Sequence, residues 1–290
     1  MGGVLAIIGG SGLYDVESLE DVEERWVSTP YGAPSDAVIR GRMKDTDTTV
    51  LFLPRHGRGH RIPPSAINYR ANLCALKLLG ATHVLSVSAV GSMKEEIAPG
   101  DLVVVDQFID LTKRRISTYF DERVAAHVSV ADPVCPIMAA AVFEAALSTG
   151  ATTHRGGTYV CIEGPQFSTR AESHVYRSWG VSVVGMTNMP EAKLAREAEL
   201  PYATLALSTD YDCWHATEAA VSVEAVVATL KGNVEKAKAV TRALARALPD
   251  VSRSPARTAL SGAIMTAPTA IPADARAQLA WLLGDRLIQG

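Results

Sequence analysis

Short apolar runs alternate with amphipathic stretches from the N-terminus to about residue 248. Val4 to Ile8, Val50 to Pro54, His83 to Ala89, Leu102 to Asp106, Tyr159 to Ile162, Val181 to Met186 and Tyr202 to Leu207 each read as a buried strand. A continuous apolar run such as LVVVD at 102–106 predicts a sheet covered on both faces. Between the strands, helical spacing predicts a helix over 65–79, with Ser65 as N-cap and Gly80 closing it. Further helices are expected over the Ala-rich 136–147, over 169–179, from Pro190 through Glu199, and over 221–248. Trp26 to Ile39 reads as an irregular connection into a strand pair, and 107–127 as a loop carrying Arg114, Arg115, Tyr119 and Phe120. Strands alternating with helices predict an α/β fold with a mostly parallel or mixed sheet. No repeat or linker splits the pattern, so residues 1–250 are expected to form one domain. Residues 251–290 are Ala/Pro/Arg-rich and weakly patterned. They are expected to pack on that domain or on a neighbouring subunit.

Composition narrows the class. The chain has 290 residues, 48% hydrophobic and 20% charged, with a net charge of −3. That balance suits an ordinary globular chain and supplies no basic surface for nucleic acid or an anionic membrane. No apolar run approaches the roughly 18 residues of a membrane span. The start, MGGVLAIIGGSG, lacks the basic region and long apolar core of a signal peptide. Cys74, Cys135, Cys161 and Cys213 are scattered without a CxxC spacing. This argues against a zinc site or redox pair and suits a cytoplasmic location.

Nearly every chemistry-bearing cluster directly follows a strand: GGSG at 9–12, RHGRGH at 55–60, SAVGS at 88–92, EGPQF at 163–167, MTNMPE at 186–191 and STDYD at 208–212. In open α/β sheets, ligands bind at the C-terminal ends of the strands. Glycines around Ser11 let backbone N–H groups approach an anion, although GGSG also fits a plain turn. It is neither a GxGxxG fingerprint nor a P-loop. Arg55 and His56 lie in a basic loop with no interleaved carboxylate, which favours an oxyanion over a solvated surface. Thr187, at a strand-to-helix junction, can cap the helix or hold an anion. Phe167 can lie on a flat ligand or belong to the core. His83, at the N-terminal end of its strand, reads as structural.

Asp210 and Asp212 are one residue apart, and an extended chain would put both on one side. Carboxylates so close resist ionising together, so one should keep a proton. A protonated acid beside an ionised one suits a base with an acceptor nitrogen next to an exocyclic amine, as in adenine. The same residues also fit a strand-end turn capping the next helix. An oxyanion site, an apolar middle containing Met186 and Phe167, and a protonatable acid together describe phosphorolysis of a nucleoside.

GGSGLYD, LPRHGRGH, SAVGS, EGPQFSTRAES, GMTNMPEAKLARE and STDYDCW resemble, in order, the trimeric branch of the purine nucleoside phosphorylases. The likeness runs from about Val4 to about Leu248 and is greatest to members acting on 5′-methylthioadenosine. It implies a single-domain fold with a twisted mixed sheet surrounded by helices. It also implies conversion of 5′-methylthioadenosine and phosphate to adenine and 5-methylthioribose 1-phosphate, without metal or organic cofactor. By resemblance, phosphate belongs on Ser11, Arg55, His56, Ser88 and Thr187, and the Ala89 backbone and Met186 border the ribose. Asp210 and Asp212 take the adenine N7 and N6 edge and assist its departure, Phe167 stacks near the base, and Val223 shapes the 5′ pocket. His127 would reach the nucleoside of the neighbouring subunit in a homotrimer or dimer of trimers.

Ser11 and Ser88 stand where many members carry Thr, and Cys161 stands where some carry a Thr near the base, bearing on purine preference. Members that take 6-oxopurines have Asn at the position of Asp210 and Glu at that of Ser168; this chain has neither. Activity on methylthioinosine or a broader range of purine nucleosides is the alternative within the family. An acyl hydrolase would need a G-x-S-x-G elbow, which is missing, and a dinucleotide enzyme would need GxGxxG after the first strand. A non-catalytic nucleoside binder would share these loops but would not turn substrate over.

Overall fold

The apolar runs fold into one mixed sheet. The computed structural model describes residues 3–120, 123–215 and 223–284, and for Ser11, Val16 and residues 223–228 the backbone only. In chain order the strands are β1 (Val4–Gly9), β2 (Leu19–Arg25), β3 (Val38–Met43), β4 (Thr49–Pro54), β5 (His83–Ser92), β6 (Leu102–Val105), β7 (Gln107–Asp110), β8 (Thr153–Arg155), β9 (Thr158–Cys161), β10 (Val183–Gly185) and β11 (Tyr202–Asp210). The helices are α1 (Tyr69–Leu78), α2 (Pro136–Ser148), α3 (Arg170–Ser178), α4 (Asn188–Glu197), α5 (Val223–Arg246) and α6 (Ala273–Leu283). The strand order is β2-β3-β4-β1-β5-β10-β9-β7, with β11 lying against β5 and β6, and β8 against β6. β4, β1, β5 and β11 are mutually parallel, whereas β3–β4, β10–β5 and β11–β6 are antiparallel.

Both faces of this sheet are buried, and strand alternation distributes side chains between them. Ala6, Ile8, Val103 and Val105 join Leu73 and Leu76 of α1 and Ala192 and Ala195 of α4 on one side. Leu5, Ile7, Leu102 and Val104 meet Met138 and Val142 of α2 and Val240 and Leu244 of α5 on the other. Among the described residues, no helix is long and apolar enough to cross a membrane.

β5 positions the site. Its first half, His83–Ser86, pairs with β1, and its last residues, Gly91 and Ser92, pair with β10. β11 runs along the other edge from Val84 to Gly91. Residues 87–90 therefore have a ladder partner on one side only, and the sheet opens there.

Several local expectations change. β2 reads LEDVEER, a polar strand on the sheet's edge, so it lacks the apolar run that marks inner strands. β7 lies within the stretch read as a loop and pairs in parallel with β9. Ser65 is not the cap of α1. Asn68 caps it, its side chain accepting from the Ala71 N–H, while Ser65 donates to the Glu163 carbonyl. Thr169 does cap α3, in a capping box with Glu172.

The weakly patterned tail is built into the body. Leu260, Ile271, Ala275, Leu279, Leu282 and Leu283 belong to the first core layer. Trp281 packs edge-on against Tyr119, with ring centroids 4.9 Å apart. α6 thus joins the core layer that includes α1 and α4, with Trp281 against Tyr31 and Tyr119. Leu279→Ala should lower the folding free energy by about 2–5 kcal/mol. A lowered denaturant midpoint checks this, and an unchanged midpoint would remove α6 from the core's energetics.

Candidate active site

A cavity of about 630 Å³ opens where the sheet opens, at the C-terminal ends of β1, β4, β5 and β11. Gly10, Arg55, His56, Ser88, Ala89, Phe167, Met186, Thr187, Asp210 and Asp212 line it, so six separate loops converge on one space. Ala89 is the exposed position in an otherwise buried stretch of β5, because it faces this opening. The side chains of Ser11 and Val223 lie outside the described residues.

One end gathers hydroxyls and nitrogen donors. Ser88 Oγ lies 3.0 Å from Thr187 Oγ1 and 3.2 Å from the Tyr159 hydroxyl. Thr187 precedes α4 but makes no capping bond with its side chain. Its hydroxyl turns to Ser88 instead, and Met189 is extended (φ −115°, ψ 132°), so the continuous part of α4 begins only after it. Arg55 is only 2% exposed, and most of its fork is engaged within the protein. Nε donates to Glu191 Oε2 (2.8 Å), and Nη2 donates to Glu191 Oε1 (3.0 Å), Ser86 Oγ (2.6 Å) and the Ile8 carbonyl (3.1 Å). Nη1 donates to the Val87 carbonyl (2.9 Å). His56 Nδ1 donates to the Ile62 carbonyl at 2.8 Å, which leaves Nε2 as an acceptor in the neutral ring. Burial lowers the His56 pKa to about 4, with the Arg55 charge adding to the effect and the Ile62 carbonyl opposing it. His60 stacks on this ring, centroids 4.2 Å apart, and also lines the cavity.

The acids sit at the other end, in a geometry that differs from the expected extended pair. β11 carries a bulge between Ser208 and Asp210, and Asp212 adopts φ +52°. The chain turns there, and the Asp212 N–H donates to Asp210 Oδ1 at 2.8 Å. The strand-end turn and the acid pair are therefore one structure, because the turn brings both carboxyls to the cavity. Gly91 makes room for them: a Cβ there would lie 2.9 Å from Asp210 Oδ1 and 3.3 Å from Asp212 Cβ. Burial raises the pKa of Asp210, against hydrogen bonds from Thr209 and the Asp212 N–H. Burial also raises that of Asp212, and the neighbouring Asp210 charge is a smaller contribution. Desolvation, rather than like-charge repulsion, is the leading cause. The buried Ser168 hydroxyl lines the same end and has no hydrogen-bond partner among the described residues.

Between the ends stand Met186 and Phe167. Phe167 is 47% exposed and lines the cavity, which places it on the wall rather than in the core. Met186 packs over Gly164, where a Cβ would meet its Sδ at 2.5 Å. Arg115, which the sequence marks only as part of a loop, holds this wall. Its Nη1 donates to the Met186 and Met189 carbonyls (2.7 and 2.6 Å) and its Nη2 to the Glu163 carbonyl (2.7 Å). Glu191 also went unmarked, since Pro-Glu at a helix start reads as ordinary capping.

Two residues lie elsewhere. Cys161 is fully buried behind the wall, its Sγ accepting from the Met189 N–H at 3.4 Å, and it does not line the cavity. Its contacts with the wall run through Met189 and Arg115. His127 is exposed and lines a separate open hollow of about 470 Å³ with Phe120, Val124 and Val128. His83 is structural, its Nε2 2.8 Å from the Pro249 carbonyl. Among the described residues, no group of three or more His, Cys, Asp or Glu could hold a metal ion.

Residues 4–246 match the family model described as Phosphorylase superfamily. The S-methyl-5′-thioadenosine phosphorylase of Geobacter sulfurreducens is 53% identical over 283 residues, covering 97% of this chain and 98% of its own. A methylthioadenosine phosphorylase from an antarctic soil metagenomic library has a similar structure, with a TM-score of 0.90 at 49% identity. That match covers 97% of this chain and 99% of the other. Methylthioadenosine phosphorylase from Schistosoma mansoni, solved with adenine, reaches 0.85 at 36% identity, over 91% of this chain and 99% of its own. The matched residues span the whole wall of the cavity, and the chain belongs to the phosphorylase superfamily.

Proposed function

We propose that this protein catalyses phosphorolysis of 5′-methylthioadenosine, yielding adenine and 5-methylthioribose 1-phosphate for purine and methionine salvage. The carrying observation is one cavity with hydroxyl, Arg and His groups at one end and two acids, Asp212 buried and Asp210 half-buried, at the other. Relatives of about half identity over nearly the full chain have this activity in their names. The reading involves no resident metal or organic cofactor; phosphate is a co-substrate.

Phosphate rests on Arg55, Ser88, Thr187, the Ala89 backbone and the Ser11 loop. Neutral His56 accepts the phosphate's own P–OH at Nε2, which orients the remaining oxygens. One of these attacks C1′ as the bond to N9 breaks through an oxocarbenium-like state. The phosphate's negative charge offsets the positive charge developing on the ribose, and holding both reactants in place removes several kcal/mol of the barrier. Met186 borders the sugar, Phe167 stacks on the base and Val223 shapes the 5′ end. The acid pair shares one proton, given as a hydrogen bond or outright to N7, while the ionised oxygen accepts from the 6-amino group.

Exposed Val130 lines the hollow that holds His127; exposed Ile116 adjoins its lining residue Ser117 in sequence, and exposed Met265 donates its N–H to the carbonyl of its lining residue Ala125. They support a homotrimer, or a dimer of trimers, in which His127 completes a neighbour's site. The four cysteines are unpaired thiols, which supports a cytoplasmic location.

Methylthioadenosine, adenosine, methylthioinosine and inosine should be compared with and without phosphate. Fast adenine release from methylthioadenosine, absent without phosphate, is expected; faster hypoxanthine release would overturn the role given to the acids. Because the donor form exists only below the raised pKa of the pair, kcat/KM for methylthioadenosine should fall as pH rises through it. Asp210→Asn should cut turnover of 6-amino substrates on the order of 100-fold or more and shift that limb, read from pH–rate profiles. Light scattering should give three or six chain masses, and a monomer would exclude a shared site.

A further inference from the structure

Among the described residues, Arg55 is the only guanidinium lining the cavity, yet its fork points largely away from it. Of its five N–H groups, Nε–H and both on Nη2 are engaged by Glu191, Ser86 and Ile8, and one on Nη1 by Val87. A single Nη1 N–H has no acceptor among the described residues. Glu191 itself is 1% exposed. Besides Arg55, it accepts from Ser86 Oγ at 2.6 Å and the Tyr202 hydroxyl at 3.0 Å. Asn188 ties the arrangement together, donating to Tyr202 (2.8 Å) and Thr204 (2.6 Å). The network joins the end of β4 to β5, β11 and α4. Those elements also carry or adjoin Ser88 and Thr187.

A carboxylate so placed has two opposed consequences. It cancels the charge of Arg55, which weakens long-range attraction for an anion. It also fixes the guanidinium in a bidentate grip, so that the remaining N–H has one direction. The structure favours the second as the purpose. Four donors converge on one carboxylate, and a buried pair of this kind lends specificity of arrangement more than net stability.

We propose that Glu191 is a positioning residue for the phosphate co-substrate, acting through Arg55 and touching neither reactant. The inference rests on the phosphorolysis reading above. The site then holds its oxyanion by directed donors around a neutral ion pair, rather than by an uncompensated cation. Discrimination among oxyanions follows from geometry, and phosphate and arsenate, tetrahedral and nearly equal in size, should depend on Glu191 alike.

The test is Glu191→Gln, which keeps size and removes the charge. One amide N–H₂ then opposes the Arg55 donors, and the fork must rotate. The expected result is a rise of about 10- to 100-fold in KM for phosphate and for arsenate, the scale of misplacing a reacting group by about 1 Å. KM for methylthioadenosine should move less than about 3-fold, since the acid end is untouched. A merely structural role would lower both affinities together. An unchanged or lower phosphate KM in folded Glu191→Gln would overturn the proposal and show that the charge of Glu191 merely restrains anion binding. Should that variant fail to fold, Tyr202→Phe decides. It removes one donor to Glu191 and should raise phosphate KM by a smaller factor in the same direction, and no change would overturn the proposal. Wild-type protein without phosphate-dependent base release would sink the phosphorolysis reading itself, a different failure from turnover with an unaltered phosphate KM.

Discussion

β5 is the constraint on which the site depends. One ten-residue strand is shared by three partners, and β1 leaves its edge before β10 joins it. Four residues in its middle are thereby left with a single ladder partner. Backbone polar groups stranded in a sheet interior are costly unless something satisfies them. Here Arg55 donates to the Val87 carbonyl and Thr209 to the Val90 carbonyl, while Ala89 faces the opening. Ser88 and Ala89 fall in this gap, and the parallel ends of β1, β4 and β11 surround it. The cavity is thus a consequence of strand pairing, and the loops are gathered there by topology.

Burial then sets the chemistry. The same desolvation acts on groups of opposite charge type with opposite results. It lowers the His56 pKa and keeps the ring neutral, and it raises those of Asp210 and Asp212 towards a retained proton. Arg55 stays charged because Glu191 compensates it. Among the described residues, no group at the phosphate end therefore carries an isolated charge. The acid end differs because Asp210 accepts from Thr209 and a backbone N–H, and Asp212 from the Cys213 thiol, rather than from a cation, which is why a proton is the natural counter-charge there.

The wall between the two ends depends on one buried cation. Arg115 donates to carbonyls of the 162–163 and 186–189 segments and so ties together the two loops just beyond the end of the β9–β10 ladder. Its side chain is 2% exposed despite its position in an irregular stretch. Carbonyl groups at loop ends need donors, and a planar fork can serve several at once. The same economy explains Ser65, which left the helix cap for this cluster.

What the sequence determined by itself was local. Inner strands announced themselves because both of their faces are apolar, and the small-residue loops after them were visible for the same reason. The convergence of those loops follows from any parallel α/β sheet, so the two chemical ends of the cavity were legible too. Edge strands β2 and β7 were not, since one polar face or a short length removes the signal. The tail was illegible because α6 buries scattered Ala and Leu against surface made elsewhere. Only the tertiary structure decided which donors remain available. Glu191 lies 136 positions from Arg55, and Arg115 lies 71 from Met186. Cys161 sits behind the wall because of how β9 packs under Met189. Hydrogen-bond direction and desolvation are properties of assembled neighbours, and no periodicity along one chain encodes them.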